Sequence, residues 1–260
     1  MKRALLLSLV LFALPAATAG ATVNDYSCKP PAAHPSPVVL VHGTFADSAG
    51  SWNLVAPALE QQGYCVFEID YGNNATGEIA ASAAQLRDFV DHVLAATGAA
   101  TVSIVGHSQG GMMPRYYIKN LGGDTKVDDL VGLAPSNHGT TNQGAQWASW
   151  CAACQEQEAG SPFLTALNSG DESPGAVSYT QIETRYDEVV TPYTSAFLAP
   201  DAGVTNVLLQ DKCPPDVSDH LGIGHDPIAL AWVEDALGRP GPADPAFDPG
   251  CQLSASSASR

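Results

Sequence analysis

The chain has 260 residues, 45% of them hydrophobic, and a formal net charge of −16 at pH 7. This length is enough for one α/β domain with a sizeable core. Nucleic acid is excluded as a partner, because attraction to phosphate backbones needs a basic face, and the chain sets 11 Lys and Arg against 27 Asp and Glu with no basic run.

Residues 1–21 are typical of a secretory signal peptide. A Met-Lys-Arg start precedes an apolar run over 4–14, and small residues at Ala17, Ala19 and Ala21 offer cleavage sites. The run is too short to span a bilayer. We therefore predict an exported protein without stable membrane insertion, with residues 22–260 forming a single domain.

Six cysteines lie beyond this segment, and an oxidising compartment is expected to pair them as three disulfides. Six cysteines allow fifteen pairings. A metal or redox interpretation of the CxxC at 151–154 lacks a second CxxC or a His pair with ligand spacing, so we expect no metal. The preferred pairs, mainly nearest in sequence, are Cys28 with Cys65, Cys151 with Cys154, and Cys213 with Cys251.

Predicted strands and helices alternate along most of the chain. Ser51 is the expected N-cap of the first helix, and the apolar residues of the second recur every three or four positions. Parallel strands need such helical crossovers, so the order predicts a mostly parallel sheet with helices on both faces. The predicted strands are Val38–Val41, 64–69, 101–105, Val127–Leu133, 177–184 and 204–209, and the predicted helices are 51–63, 77–97, 109–121 and 226–237.

A Gly-x-Ser-x-Gly pentapeptide over 106–110 follows the third strand and precedes the third helix. In an α/β-hydrolase this turn lifts the nucleophilic serine above the sheet edge. Gly106 and Gly110 are expected where a Cβ would collide with neighbouring backbone. The motif predicts Ser108 as nucleophile; the alternative is a glycine-rich turn with a spectator serine.

A serine nucleophile needs a base, and the α/β-hydrolase chain order is Ser, acid, His. Three histidines follow Ser108. His138 precedes the late strands and His225 sits against the last helix, whereas His220 lies in a loop from which it can reach back over the strand ends. We favour His220.

The acid is expected on the loop after the fifth strand. Asp187 follows that strand directly, and Asp211, after the next strand, is its rival. Asp211 would place acid and base on one connection, whereas these folds usually draw them from successive loops. Asp187 is therefore preferred.

The reaction also needs hydrogen-bond donors for the oxyanion of the tetrahedral intermediate. In this fold the residue after the nucleophile and the loop after the first strand each supply a backbone N–H. These positions are Gln109 and Thr44, and the Thr44 hydroxyl is a possible third donor.

Residues 137–175 break the alternation and predict an excursion over the active site. Apolar pocket walls and core look alike in sequence, so its aromatic residues fit either role. The tail over 239–260 is rich in Pro, Asp and Ser and predicts a strap. The candidate substrate-binding residues are Phe45, His138, Trp147 and Trp150.

Four stretches resemble the signatures of the secreted bacterial class 2 lipases: 38–45 (VVLVHGTF), 104–111 (IVGHSQGG), 185–192 (RYDEVVTP) and 219–224 (DHLGIG). The resemblance implies an α/β-hydrolase that acts on carboxylic esters with no metal and no organic cofactor. It also implies the triad Ser108, Asp187 and His220, with the oxyanion hole at Thr44 and Gln109.

These observations favour a secreted, monomeric lipase or esterase that cleaves acylglycerol-type or other fatty-acyl esters, with an oil–water interface as a candidate partner. One alternative keeps the triad but transfers the acyl group to an alcohol, or cleaves polyesters as cutinases do. Pocket shape decides between these reactions, and sequence does not give it. A non-catalytic binding module on a hydrolase fold is the alternative from another class.

Overall fold

A six-stranded parallel sheet forms the centre of the protein, with strand order β2-β1-β3-β4-β5-β6. The structure is a computed structural model that describes residues 22–142 and 150–251. Every predicted strand is found, with ends that differ by at most two residues. The strands are β1 (Val38–Val41), β2 (Val66–Ile69), β3 (Val102–His107), β4 (Val127–Leu133), β5 (Ser178–Glu183) and β6 (Val204–Leu208).

The helices are α1 (Ser48–Ser51), α2 (Val55–Gln61), α3 (Gly72–Ala75), α4 (Ile79–Thr97), α5 (Gln109–Asn120), α6 (Ala152–Glu156), α7 (Pro162–Leu167), α8 (Leu209–Lys212) and α9 (Pro227–Leu237). Of these, α3 is a single left-handed turn, with φ between 54° and 58° at all four residues. Side chains alternate along each strand, so the sheet contributes to two cores. Val39 and Val41 pack with α4 and α5 on one face. Val38 and Leu40 pack with α2 and α9 on the other. Helices on both faces were predicted, and this arrangement is confirmed.

The first predicted helix is wrong in one respect, because it is divided in two. Asp47, not Ser51, caps α1, accepting a hydrogen bond from Gly50 N–H at 2.9 Å. Ser51 lies at the end of α1 and donates its hydroxyl to Asp47 O. The apolar spacing of α2 was clear from the sequence, but the break before it was not.

The three predicted disulfides are present, with Cα–Cα distances of 5.0 to 5.9 Å. Cys28 joins the N-terminal arm to Cys65, just before β2. On the same arm, Asn24 N–H donates to Val66 O at 3.0 Å, and Asn24 Oδ1 accepts from Glu68 N–H at 2.9 Å. The arm therefore lies along the outer edge of β2, where no strand from the described residues pairs.

The chain after α9 crosses the sheet at its other end. Ala243 is fully buried, donates its N–H to Thr180 Oγ1 at 2.9 Å, and accepts from Thr205 Oγ1 at 2.8 Å. The Cys213 to Cys251 disulfide holds the end of this segment. The segment predicted as a strap, 239–260, is described as far as residue 251, and it makes these contacts with β5 and β6. The predicted signal peptide lies outside the described residues.

Across residues 22–142 and 150–251, no helix combines the length and the apolar character needed to cross a membrane.

Candidate active site

The predicted elbow lies between β3 and α5, and Ser108 adopts the strained φ of 56° that such a turn imposes. A Cβ on Gly106 would lie 1.8 Å from Gly110 O, and one on Gly110 would lie 2.0 Å from Val41 O. The expected collision of side chains with neighbouring backbone is confirmed at both glycines. The elbow can form only because these two positions carry no side chain.

His220 and Asp187 form a buried pair next to the elbow. His220 Nδ1 lies 2.7 Å from Asp187 Oδ2, and the two side chains are 4% and 0% exposed. Asp187 Oδ1 accepts from Val189 N–H at 2.8 Å and Val190 N–H at 2.7 Å. These bonds fix the carboxylate, which in turn holds the hydrogen on Nδ1 and leaves Nε2 with a lone pair.

The rival acid and the two rival bases make other contacts. Asp211 is exposed and pairs with Arg185 at 3.9 Å. His225 is exposed, and its Nδ1 lies 3.5 Å from Leu221 O. His138 is held by Glu172 Oε1 at 3.1 Å. None of these side chains contacts Asp187 among the described residues.

His107, beside the nucleophile, supports the loop that carries His220. His107 Nε2 lies 2.8 Å from His220 O, so Nε2–H donates to the carbonyl. Burial and the neighbouring His220 ring lower the pKa of His107 to about 4. The ring is therefore neutral at neutral pH and adds no positive charge beside His220.

Glu183, the last residue of β5, lies fully buried close to Asp187. Its Oε1 accepts from Thr184 N–H at 2.7 Å. Burial, with the negative charge of Asp187 adding to it, raises the pKa of Glu183 to about 10. A neutral carboxylic acid thus stands next to the carboxylate that orients His220.

The predicted oxyanion residues lie together. Gln109 is the first residue of α5, where a backbone N–H has no partner within its own helix. Thr44 Oγ1 donates to Gln109 Oε1 at 2.7 Å, which ties the loop after β1 to the elbow. The next residue, Phe45, has a φ of 65° and donates its N–H to Asn74 O at 2.8 Å.

Gln157 is a residue of this site that the sequence did not indicate. It lies in the excursion, is 7% exposed, and places Nε2 3.0 Å from Thr44 Oγ1 and 3.1 Å from Gln109 Oε1. Nothing near position 157 forms a motif, and the contact joins residues that are 113 positions apart.

Ser108, His220 and Thr44 line one cavity of about 730 Å³. Its mouth carries apolar side chains that face solvent: Phe45 is 58% exposed, and Leu221 is 69% exposed. The other residues that line it include Val189, Val190, Cys154, Ser136, Thr140 and Asn142. The cavity is large enough for a drug-sized ligand, and its apolar walls fit an acyl chain.

Two of the candidate substrate-binding residues lie away from this lining. His138 is not part of it, because Glu172 and Ser195 O hold its ring. Trp150 is 69% exposed and packs on the outside of Phe45, with ring centroids 5.7 Å apart. Phe45 does line the cavity, and Trp147 lies outside the described residues.

No group of three or more His, Cys, Asp or Glu side chains in the described residues is placed to hold a metal ion.

The order Ser, Asp, His along a parallel sheet with helices on both faces is that of the α/β-hydrolases, and the protein has this fold. Aspergillus fumigatus lipase B has a similar structure, with a TM-score of 0.73 and 24% identity over 82% of this chain and 55% of that one. The mature Bacillus licheniformis lipase BlEst2 gives a TM-score of 0.59 and 17% identity over 79% and 91%.

The chain belongs to the class 2 lipase family, whose model matches residues 35–220. This confirms the resemblance seen in the sequence. A triacylglycerol lipase of Pseudarthrobacter phenanthrenivorans is 40% identical over 126 aligned residues, covering 44% of this chain and 35% of that protein. A triacylglycerol lipase of Burkholderia plantarii is 38% identical over 126, covering 44% and 32%. The match thus spans about a third of these curated relatives.

Proposed function

We propose that this protein hydrolyses carboxylic esters of fatty acids through an acyl-enzyme on Ser108. The observation that carries the proposal is the buried His220 and Asp187 pair, 2.7 Å apart, on the same cavity as a serine with a φ of 56°. A binding module would have no need to hold a serine in this strained conformation. Membership of the class 2 lipase family supports the same chemistry.

The proposed reaction has two halves. Ser108 Oγ attacks the acyl carbon while His220 Nε2 takes the hydroxyl proton, and Asp187 stabilises the imidazolium. The tetrahedral oxyanion accepts hydrogen bonds from the backbone N–H groups of Thr44 and Gln109. The alcohol leaves with the proton from His220. Water, deprotonated by His220, then releases the acid and restores Ser108.

The proposed substrate is an ester with an apolar acyl group, acylglycerols included. Val190, Phe45 and Leu221 offer apolar contact around the reacting centre. The three disulfides support the proposal that the protein works in an oxidising, extracytoplasmic compartment after removal of residues 1–21.

The test is hydrolysis of p-nitrophenyl esters from acetate to palmitate by the wild type and Ser108→Ala. We expect turnover that the variant abolishes, and the chain length of the fastest ester reports how much of the cavity the acyl group fills. A matched control is Ser173→Ala, since Ser173 lies outside the cavity lining and should leave turnover unchanged.

Two results would contradict the proposal. Full turnover by Ser108→Ala would exclude this serine as nucleophile. An intact wild type that cleaves no ester and takes no label from a fluorophosphonate would favour the binding module. A second assay, in mixed water and alcohol, separates the reactions of the same triad: free acid indicates a hydrolase, and a new ester indicates an acyltransferase.

A further inference from the structure

The excursion places the Gln157 carboxamide against Thr44, in the loop after β1, and against Gln109. The mechanism above gives this carboxamide no role. Its Nε2 lies within 3.0 to 3.1 Å of three acceptors: Thr44 Oγ1, Gln109 Oε1 and Ala153 O. The amide is 7% exposed, so water cannot readily replace these bonds. A buried amide held by two residues of the oxyanion hole has a position from which it can affect catalysis.

Two neighbours fix the orientation of this amide. Ala153 O is a carbonyl oxygen and only accepts, so the nitrogen of Gln157 must face it, at 3.1 Å. The opposite end, Oε1, accepts from Ser136 Oγ at 2.8 Å. One N–H of Gln157 is thus directed at Ala153 O, and the second is directed at Thr44 and Gln109.

The Thr44 hydroxyl has a single hydrogen, and in this structure it is given to Gln109 Oε1 at 2.7 Å. While that bond persists, the hydroxyl cannot donate to an oxyanion. If the hydroxyl turned away with nothing in its place, Gln109 Oε1 would be left without a donor in a residue that is fully buried. Leaving a buried acceptor unpaired is costly.

The second N–H of Gln157 keeps Gln109 Oε1 paired, because Gln157 Nε2 lies 3.1 Å from that oxygen. We propose, on the basis of the ester hydrolysis proposed above, that Gln157 is a positioning residue for the oxyanion hole. Its amide keeps Gln109 Oε1 paired, so the Thr44 hydroxyl turns to the developing oxyanion and acts as the third donor. Gln157 itself does not contact the substrate.

The frame around Gln157 is built to hold this position. Ala153 N–H donates to Thr76 O at 3.2 Å, and Glu156 Oε2 accepts from Ile79 N–H at 2.7 Å at the start of α4. The disulfide between Cys151 and Cys154 closes the first turn of α6. The excursion helix α6 is therefore fixed to the chain at the start of α4.

The experiment measures kcat and KM for a p-nitrophenyl ester with single and double variants. Thr44→Val keeps the shape of the side chain and removes the hydroxyl, and we expect kcat to fall about 10²-fold, as for other oxyanion donors. Gln157→Leu should lower kcat about tenfold, the equivalent of one neutral hydrogen bond. KM should stay unchanged in both, because the third donor acts only on the transition state.

The double variants give the decisive result. If Gln157 acts through the Thr44 hydroxyl, Gln157→Leu has no further effect in the Thr44→Val background and keeps its tenfold effect in the Thr44→Ser background. Equal effects of Gln157→Leu in both backgrounds, or an unchanged kcat for the single variant, would overturn the proposal.

Two controls keep this result separate from other failures. Fluorophosphonate titration counts intact sites, so kcat is expressed per labelled serine even where a variant folds poorly. Gln62→Leu removes an exposed amide that binds Glu234, away from the cavity, and should match the wild type. A wild type that cleaves no ester would contradict the proposed hydrolysis itself, whereas an active wild type with additive variants contradicts only the role of Gln157.

Discussion

Glu183 predicts an unusual dependence of stability on pH. Burial beside Asp187 raises the pKa of Glu183 from 4.5 to about 10 in the folded protein. The unfolded chain keeps the ordinary value, so between these pH values the folded state holds one more proton. The stabilising effect of the buried neutral acid is complete below pH 4.5 and is lost as the pH rises toward 10.

The size of the effect follows from the width of this interval. Within it, the free energy of unfolding falls by about 1.4 kcal/mol per pH unit through this group alone, or about 2.7 kcal/mol from pH 6 to pH 8. Glu183→Gln has nearly the same shape and is neutral at every pH. We expect the variant to lack this slope and to gain stability over the wild type as the pH rises.

The assay is guanidinium unfolding at pH 6, 7 and 8, followed by the fluorescence of the buried Trp52 and Trp232. Glu78→Gln makes the same chemical change at an exposed position at the start of α4 and should leave the slope unchanged. A difference between Glu183→Gln and the wild type that is the same at all three pH values would refute a protonated Glu183.

Two further changes test the frame of the fold. Gly110→Ala would place a Cβ 2.0 Å from Val41 O and should abolish folding or ester cleavage. The control is Gly203→Ala, whose Cβ would have its nearest atom at 3.4 Å and should change neither. An active Gly110→Ala variant would contradict the elbow geometry. Replacing Cys28 and Cys65 by serine opens a loop with a sequence separation of 37. We expect denaturant titrations to show a free energy of unfolding lower by about 4 kcal/mol, because the unfolded chain is no longer constrained. A loss below about 1 kcal/mol would contradict this expectation.

Much of the fold could be predicted because the signals are local. The strand Val38–Val41 is a short, wholly apolar run, and α9 begins at Asp226-Pro227, where both residues mark a helix start. The break between α1 and α2 could not be predicted in this way. The start of α1 was missed as well, because Asp47 accepts from Gly50 N–H and caps the helix before the apolar spacing begins.

The residues of the candidate site also differ in whether a local sequence signal predicts them. Ser108 follows β3 in a Gly-x-Ser-x-Gly motif, and Thr44 lies in the loop after β1. Both positions could therefore be predicted from the sequence around them. Gln157 enters the site only through contacts between distant parts of the chain. Glu183 did leave a signal, a carboxylate within an otherwise buried strand four residues before Asp187, but burial alone does not say which charge lies beside it.

The N-terminal arm along β2 has a consequence for how molecules behave toward one another. An uncovered edge strand offers its N–H and C=O groups as a template on which a strand of another chain can add. Here Asn24 occupies the outward groups of Val66 and Glu68, and the disulfide from Cys28 keeps it there. Reduction of that bond would free the arm, and the edge so exposed would be the starting point for aggregation by intermolecular sheet growth.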